Sequence, residues 1–253
     1  EAIKRIWYRE FPELKRLFDH PKIDVLPVEF ARARMGQWLE ETQKNEKGVL
    51  QIDLEAEFGQ VIANRDGRRM AVWEHLSATP SDIEAVSKSL ELKVEPFAVA
   101  AYMLNKLAYP AFIPATLDEL SIEMAWIRYR IKNMLSRLNQ LDPLFLYDET
   151  LGLRDEYEPI LLSVPGLELL PSIRHFFLVL LDSIMPNGIT TIVWDDLGTL
   201  AALGVLAKAD SLLVTQVVDT DIFTSLAMVV SVNSPLTTGQ TVLQLEVDEG
   251  EGE

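Results

Sequence analysis

The stretch from Thr116 to Leu141 constrains the fold more than any other. Its apolar residues Leu117, Leu120, Met124, Ile127, Ile131, Met134, Leu138 and Leu141 recur at alternating spacings of three and four. A helix repeats about every 3.6 residues and a strand about every 2, so only a helix gathers that spacing on one face. Thr116 followed by Glu119 reads as a capping box, in which hydroxyl and carboxylate each satisfy a backbone N–H of the first turn. Two arrangements fit. In one, a single helix of about seven turns runs the whole way, its stripe lining a helical core or a coiled-coil seam. In the other, the chain breaks near Met124-Ala125-Trp126, and a second helix carries Arg128, Tyr129, Lys132, Asn133 and Ser136 opposite Ile131, Leu135 and Leu138.

The surroundings bear on that choice. Glu95 to Leu107 reads as a preceding apolar helix, and Leu144 to Tyr147 with Pro159 to Leu162 as two short strands around an acidic hairpin. Helix, helix, helix and hairpin over residues 95 to 164 resembles the winged helix-turn-helix superfamily. That resemblance implies a recognition helix reading duplex DNA, with Arg128, Tyr129, Arg130, Lys132, Asn133, Ser136 and Arg137 as its contact residues. Ala125 and Ile127 stand where the superfamily usually has Gly in the turn and Ser or Thr at the next helix start, which favours the unbroken helix.

Charge supports a cationic face locally and opposes it globally. From Trp126 to Gln140 there are four basic residues, Arg128, Arg130, Lys132 and Arg137, and no acidic one, whereas the whole chain carries a formal net charge of −16. A solvated helix face ordinarily mixes both signs, and phosphate binding needs positive surface. The excess is uneven: residues 1 to 70 hold 13 basic and 13 acidic side chains, 71 to 141 hold 7 and 8, and 142 to 253 hold 3 and 18. A positive face on the first two thirds is therefore compatible with the total.

With 253 residues, 48% of them apolar, the chain is long enough for more than one domain. The expected division is a helical region over 1–78, a winged-helix-like unit over 79–166 and an acidic α+β domain over 167–253. Within the first, AIKRIWYREF, PELKRLFDH, PVEFARARMGQWLEETQK, DLEAEFGQVIANRDG and RRMAVWEHLSA are read as helical. Thr79 to Leu92 starts a further helix with Pro and acids in its first turn. Beyond a turn at Val164-Pro165-Gly166, Leu170 to Met185 is apolar nearly all round and reads as a buried helix. ITTIVW, SLLVTQVV, IFTSLAMVVSV and QTVLQLEV are rich in β-branched residues and read as strands, with a small helix over Leu197 to Ala209 and a charged tail, DEGEGE. The expected class is α+β, mainly helical at first with a small β-containing C-terminal domain.

Little in the chain points to chemistry. There is no cysteine, so disulfides, thiolate nucleophiles and thiolate metal sites are excluded. His20, His75 and His175 lie far apart without a second ligand at metal spacing, and no phosphate loop, dinucleotide fingerprint or nucleophile elbow occurs. Asp195-Asp196 and Asp219-Thr220-Asp221 follow expected strands, where carboxylates hold Mg²⁺ in phosphoryl-transfer sites. Asp is also the ordinary residue of turns and caps, and Asp195 or Asp196 capping the helix at 197 is the simpler account. No membrane span or secretion signal is read. The sequence thus points to a cytoplasmic, non-enzymatic binding protein without cofactor or metal. Duplex DNA is its first candidate ligand, and the acidic part serves oligomerisation or protein contact. The alternative is a component of a protein assembly that uses its helices as interfaces. A metal-dependent enzyme is the distant third.

Overall fold

A computed structural model describes residues 26–43, 47–163, 170–231 and 241. The expected helices AIKRIWYREF and PELKRLFDH, the turn at 164–166, the strand QTVLQLEV apart from Thr241, and the tail DEGEGE lie outside the described residues.

The chain opens with α1 (Val28–Gln43), then a three-stranded antiparallel meander, β1 (Gly48–Leu54), β2 (Phe58–Arg65) and β3 (Arg68–His75). This corrects the helices expected over DLEAEFGQVIANRDG and RRMAVWEHLSA. β1 is buried along its whole length and β2 over all but its ends, although Gln51 and Asp53 interrupt the apolar residues of the first and Gln60 and Asn64 those of the second. The decisive local signal is Asp66-Gly67. Both residues have positive φ, 54° and 68°, and Arg65 pairs with Arg68 across them, which is a two-residue hairpin turn of the type that matches strand twist.

Helices α2 (Pro80–Ser89), α3 (Pro96–Ala108) and α4 (Leu117–Leu141) follow as expected. Thr79 forms a capping box with Asp82, and Thr116 forms one with Glu119. α4 is a single helix of 25 residues, so the break expected near Met124-Ala125-Trp126 is absent. Two faces of the helix are apolar, and this keeps it whole. Ile127, Ile131, Met134, Leu135 and Leu138 pack on the sheet, while Ile122, Ala125 and Trp126 pack against Val86 of α2 and Val99, Tyr102 and Met103 of α3. Ala125, the strongest helix former, sits where a turn would need positive φ.

β4 (Tyr147–Asp148) and β5 (Gly152–Leu153) make a small hairpin, and β6 (Tyr157–Ser163) enters the main sheet beside β1. Pro159 to Leu162 is thus a central strand, where a wing strand paired with 144–147 was expected. Its Ile160, Leu161 and Leu162 are buried, which a two-stranded wing does not provide. Residues 95–164 therefore do not form the helix, helix, helix, hairpin unit. Then come α5 (Ile173–Ile184), β7 (Gly188–Trp194), α6 (Leu200–Ala209), α7 (Ser211–Val218) and β8 (Thr224–Ser231). α7 corrects the strand expected at SLLVTQVV. The Asp210 carboxylate accepts from Leu213 N at 3.0 Å and caps the helix, and Val214 and Val218, one turn apart, pack against the α1 and α6 layer.

The sheet order is β3-β2-β1-β6-β7-β8, with β1, β6 and β7 mutually parallel and the other pairings antiparallel. It takes strands from all three stretches into which the sequence divides. α4 and α5 cover one face, while α1, α6 and α7 cover the other; α2 and α3 form an outer layer on α4. α1 and α6 touch at Gly204, where an added methyl would collide with the Ala31 carbonyl. The protein is thus mixed α/β, with strands where helices were expected in its first third. Among the described residues, no helix is long and apolar enough to cross a membrane.

Candidate functional site

The acid-free face of α4 draws its acids from other elements. Arg130 is buried and its Nε lies 2.8 Å from Glu74 Oε1 of β3. Burial pushes the Glu74 carboxyl up, opposed by the Arg130 charge and by hydrogen bonds from Arg130 and Asn133. Tyr129 donates its hydroxyl to Asp82 Oδ1 of α2 at 2.9 Å; burial, together with that bond, raises the phenol to about 12. For Asp82, burial acts upward, but bonds from Thr79, Tyr129 and Ser77 outweigh it and hold the carboxyl below its usual range. Arg128 pairs with Asp182 of α5 at 2.8 Å. Lys132 Nζ donates to the Glu149 carbonyl at 3.3 Å, Ser136 to the Glu149 carboxylate at 3.0 Å, and Arg137 to the Trp73 carbonyl at 3.4 Å. All seven residues lie on one helix, yet each is tied to β3, α2, α5 or the β4–β5 turn. Of the seven, only Arg137 is exposed.

A second cluster stands at the carboxyl ends of the parallel strands, where the strand order reverses on either side of β1 and β6. Asp53 is the last residue but one of β1, Ser163 ends β6, and Asp195 follows β7. Crevices at such reversals are common ligand sites in open α/β sheets. Asp53 is wholly buried, with Arg32 Nη1 of α1 3.9 Å away; Arg32 also bonds Glu55 at 2.8 Å. Burial pushes the Asp53 carboxyl up to about 7, the Arg32 charge opposes it, and Glu55 and Asp195 add to the rise. Asp195 is used locally: Oδ1 accepts from the amide and hydroxyl of Thr199 at 2.7 and 2.8 Å, and Oδ2 accepts from Leu200 N at 2.8 Å. It caps α6, as the simpler reading expected. Asp219 ends α7, and Asp221 sits at a positive-φ turn. Among the described residues, no three His, Asp or Glu side chains stand close enough together to hold a metal ion, so the four aspartates do not converge.

The third feature is apolar and was not singled out from the sequence. α3 and α4 form a helical hairpin clamped by a buried polar triad. Lys106 Nζ lies 3.0 Å from Glu123 Oε1 and donates to the Phe112 carbonyl at 2.6 Å, while Tyr102 donates its hydroxyl to Glu123 Oε2 at 2.8 Å. Burial beside Glu123 drives the Tyr102 phenol far up, so it remains a donor. Val99, Tyr102, Met103 and Lys106 face inward. At a helical period the opposite face carries Phe97, Ala101, Leu104 and Ala108. Phe97 is 84% exposed, Tyr109 at the helix end 71%, and Leu117 at the start of α4 78%; Leu104, Leu107 and Ile113 are exposed beside them. The available signal was that EPFAVAAYMLNKL places Phe97, Ala101 and Leu104 opposite the apolar face of Val99, Tyr102 and Met103.

Fold and surface together define an α/β protein on a mixed six-stranded sheet that holds out a clamped, apolar helical hairpin. No family model matches the chain, and no curated protein matches it. Among solved structures it is similar to a chain of a PilM-PilN type IV pilus biogenesis complex, at 15% identity and a TM-score of 0.39, over 74% of this chain and 52% of that one. It is also similar to component A of the (R)-2-hydroxyglutaryl-CoA dehydratase of Acidaminococcus fermentans, at 11% identity and a TM-score of 0.37, over 69% of this chain and 65% of that one. The chain thus spans between half and two thirds of these relatives, and likeness at this level carries no argument about activity.

Proposed function

We propose that this chain is a non-enzymatic component of a protein assembly, making contact through the α3–α4 hairpin. The observation that supports the reading is the exposure of Phe97, Leu104, Leu107, Tyr109, Ile113 and Leu117 along a hairpin whose inner side is locked by Lys106, Glu123 and Tyr102. Apolar side chains held in place rather than on a mobile loop lose little entropy when a partner covers them, and exposed apolar side chains gathered on one element are what a docking surface presents. The stretch 79–166, expected as the middle unit, carries this surface. A reducing, cytoplasmic setting fits the absence of cysteine.

Duplex DNA becomes the weaker reading. Arg128, Arg130, Lys132 and Arg137 are all engaged within the fold, three of them not exposed, so phosphate contacts would have to break bonds already made. The test is capture from source lysate by the tagged full chain and by its Leu104→Glu variant, with a duplex-DNA titration alongside. Protein retained by wild type and lost in the variant, at equal melting temperature, is expected. Equal capture by both, or salt-dependent DNA binding lost in Lys132→Glu, would overturn the assembly reading.

A further inference from the structure

We infer that the outer edge of β8 docks an extended, apolar segment of another protein that carries basic residues just beyond its C-terminal end. This is a different surface from the α3–α4 hairpin and goes beyond the reading given above. A sheet edge turns the N–H and C=O groups of every second residue outward in one row, and a second extended chain satisfies them in register. The two edges of this sheet differ in what they offer. β3 carries Arg68, Arg69, Glu74 and His75, and its Trp73 carbonyl already accepts from Arg137 at 3.4 Å. Charge of that kind keeps an edge strand from pairing. β8 reads TSLAMVVS, eight residues without a charge or a proline, and among the described residues it pairs with β7 alone. Met228 is 71% exposed, and Leu226, Val229 and Val230 are half-buried, so apolar side chains stand along the strand for an added one to cover.

Charge selects the occupant. The ladder ends where Thr224 pairs with Trp194, and at that end the exposed Asp196 follows β7 while the exposed Asp219 and Asp221 precede β8. From Asp195 to Ser231 five aspartates stand against one basic residue, Lys208. With a net charge of −16 the chain repels its own copies and draws basic segments. An antiparallel segment laid along β8 finishes beside those aspartates. Its apolar part then meets the uncharged ladder, and lysine or arginine just past it meets Asp219 and Asp221.

The probe is a fluorescent peptide, Thr-Val-Thr-Val-Thr-Val-Lys-Lys, titrated against the full chain and read by anisotropy. Binding that weakens as salt rises is expected. Asp219→Asn combined with Asp221→Asn should weaken it about tenfold, whereas a peptide ending in Thr-Thr should bind the wild type and that variant alike. Two further peptides are N-methylated at alternate residues, one on each set. The one methylated along its pairing edge should fail to bind and the other should bind, because methylation removes the donors of one edge and leaves the side chains in place. Met228→Lys puts a charge on the edge and should abolish binding at an unchanged melting temperature. Leu104→Glu should bind as the wild type does. No binding by the full chain, an equal response to both methylated peptides, or loss in Leu104→Glu overturns the inference. A wild type that dimerises and is dissociated by Met228→Lys would put a second copy on the edge and overturn it as well. None of these failures touches the hairpin reading except loss in Leu104→Glu, which would move the peptide to that hairpin.

Discussion

At Asp53 a single buried carboxyl couples the fold to pH. Burial lifts its folded value to about 7, above the ordinary 3.8 it recovers on unfolding. Between those values the folded chain holds a proton that the unfolded chain releases, so stability declines as pH rises from about 4 through about 7 and then levels. Asp53→Asn should remove that decline and raise the melting temperature at pH 8, measured against wild type from pH 5 to 8. A wild-type melting temperature that climbs over this range, with the variant parallel to it, would refute the assignment. Arg130 makes a contrasting residue. Arg130→Ala leaves the largely buried Glu74 without its ion-pair partner and with only the Asn133 bond, which should cost about 3 kcal/mol in urea unfolding. Arg128→Ala breaks a pair whose Asp182 is exposed and should cost under about 1 kcal/mol. Similar losses at the two positions would contradict the burial argument.

At the scale of elements, α4 carries the clearest sequence signal and also shows its limit. The stripe predicted a helix and its capping box, and the structure has both. Only the middle of the stripe is covered: Ile131 and Leu138 are wholly buried, whereas Leu117 and Leu141 are exposed. Ile131→Ala and Leu138→Ala should each lose roughly 2–5 kcal/mol through transfer and cavity terms, whereas Leu117→Ala and Leu141→Ala should stay within about 0.5 kcal/mol. Equal losses along the stripe, read from unfolding midpoints, would place its ends in the core. The acid-free run was legible as a pattern and misleading as a site, because Glu74, Asp82, Glu149 and Asp182 reach it from other elements that only tertiary structure brings near. β1 and β2 were hidden for the opposite reason. Both strands are buried, with Gln51, Asp53, Gln60 and Asn64 among their inward residues, a polar content that does not suggest burial; the clues were the alternation of Leu50, Ile52 and Leu54 with Gln51 and Asp53, and the turn Asp66-Gly67. At α7 the β-branched run LLVTQVV pointed to a strand, and the Asp210 cap with packing beneath α1 prevailed.

Over the whole molecule, one sheet joins stretches that composition separates. β1 from the balanced first third, β6 from the middle and β7 from the acidic part lie side by side. Charge asymmetry along the sequence therefore marks regions of surface more than units of folding. On the α3–α4 hairpin α3 is poor in charge and exposes Phe97 and Leu104, and the account holds that the protein associates there with other protein rather than with DNA. Sedimentation velocity of the fluorescent full chain in source lysate, with duplex DNA carrying a second label at low salt, tests this most directly, because it reads the mass carried by the chain and the bound DNA together. The account predicts the chain in boundaries heavier than in buffer alone, free of DNA label, and shifted back by Leu104→Glu. DNA label moving with the chain and shed as salt rises, or a Leu104→Glu chain that sediments in lysate as wild type does, would contradict it.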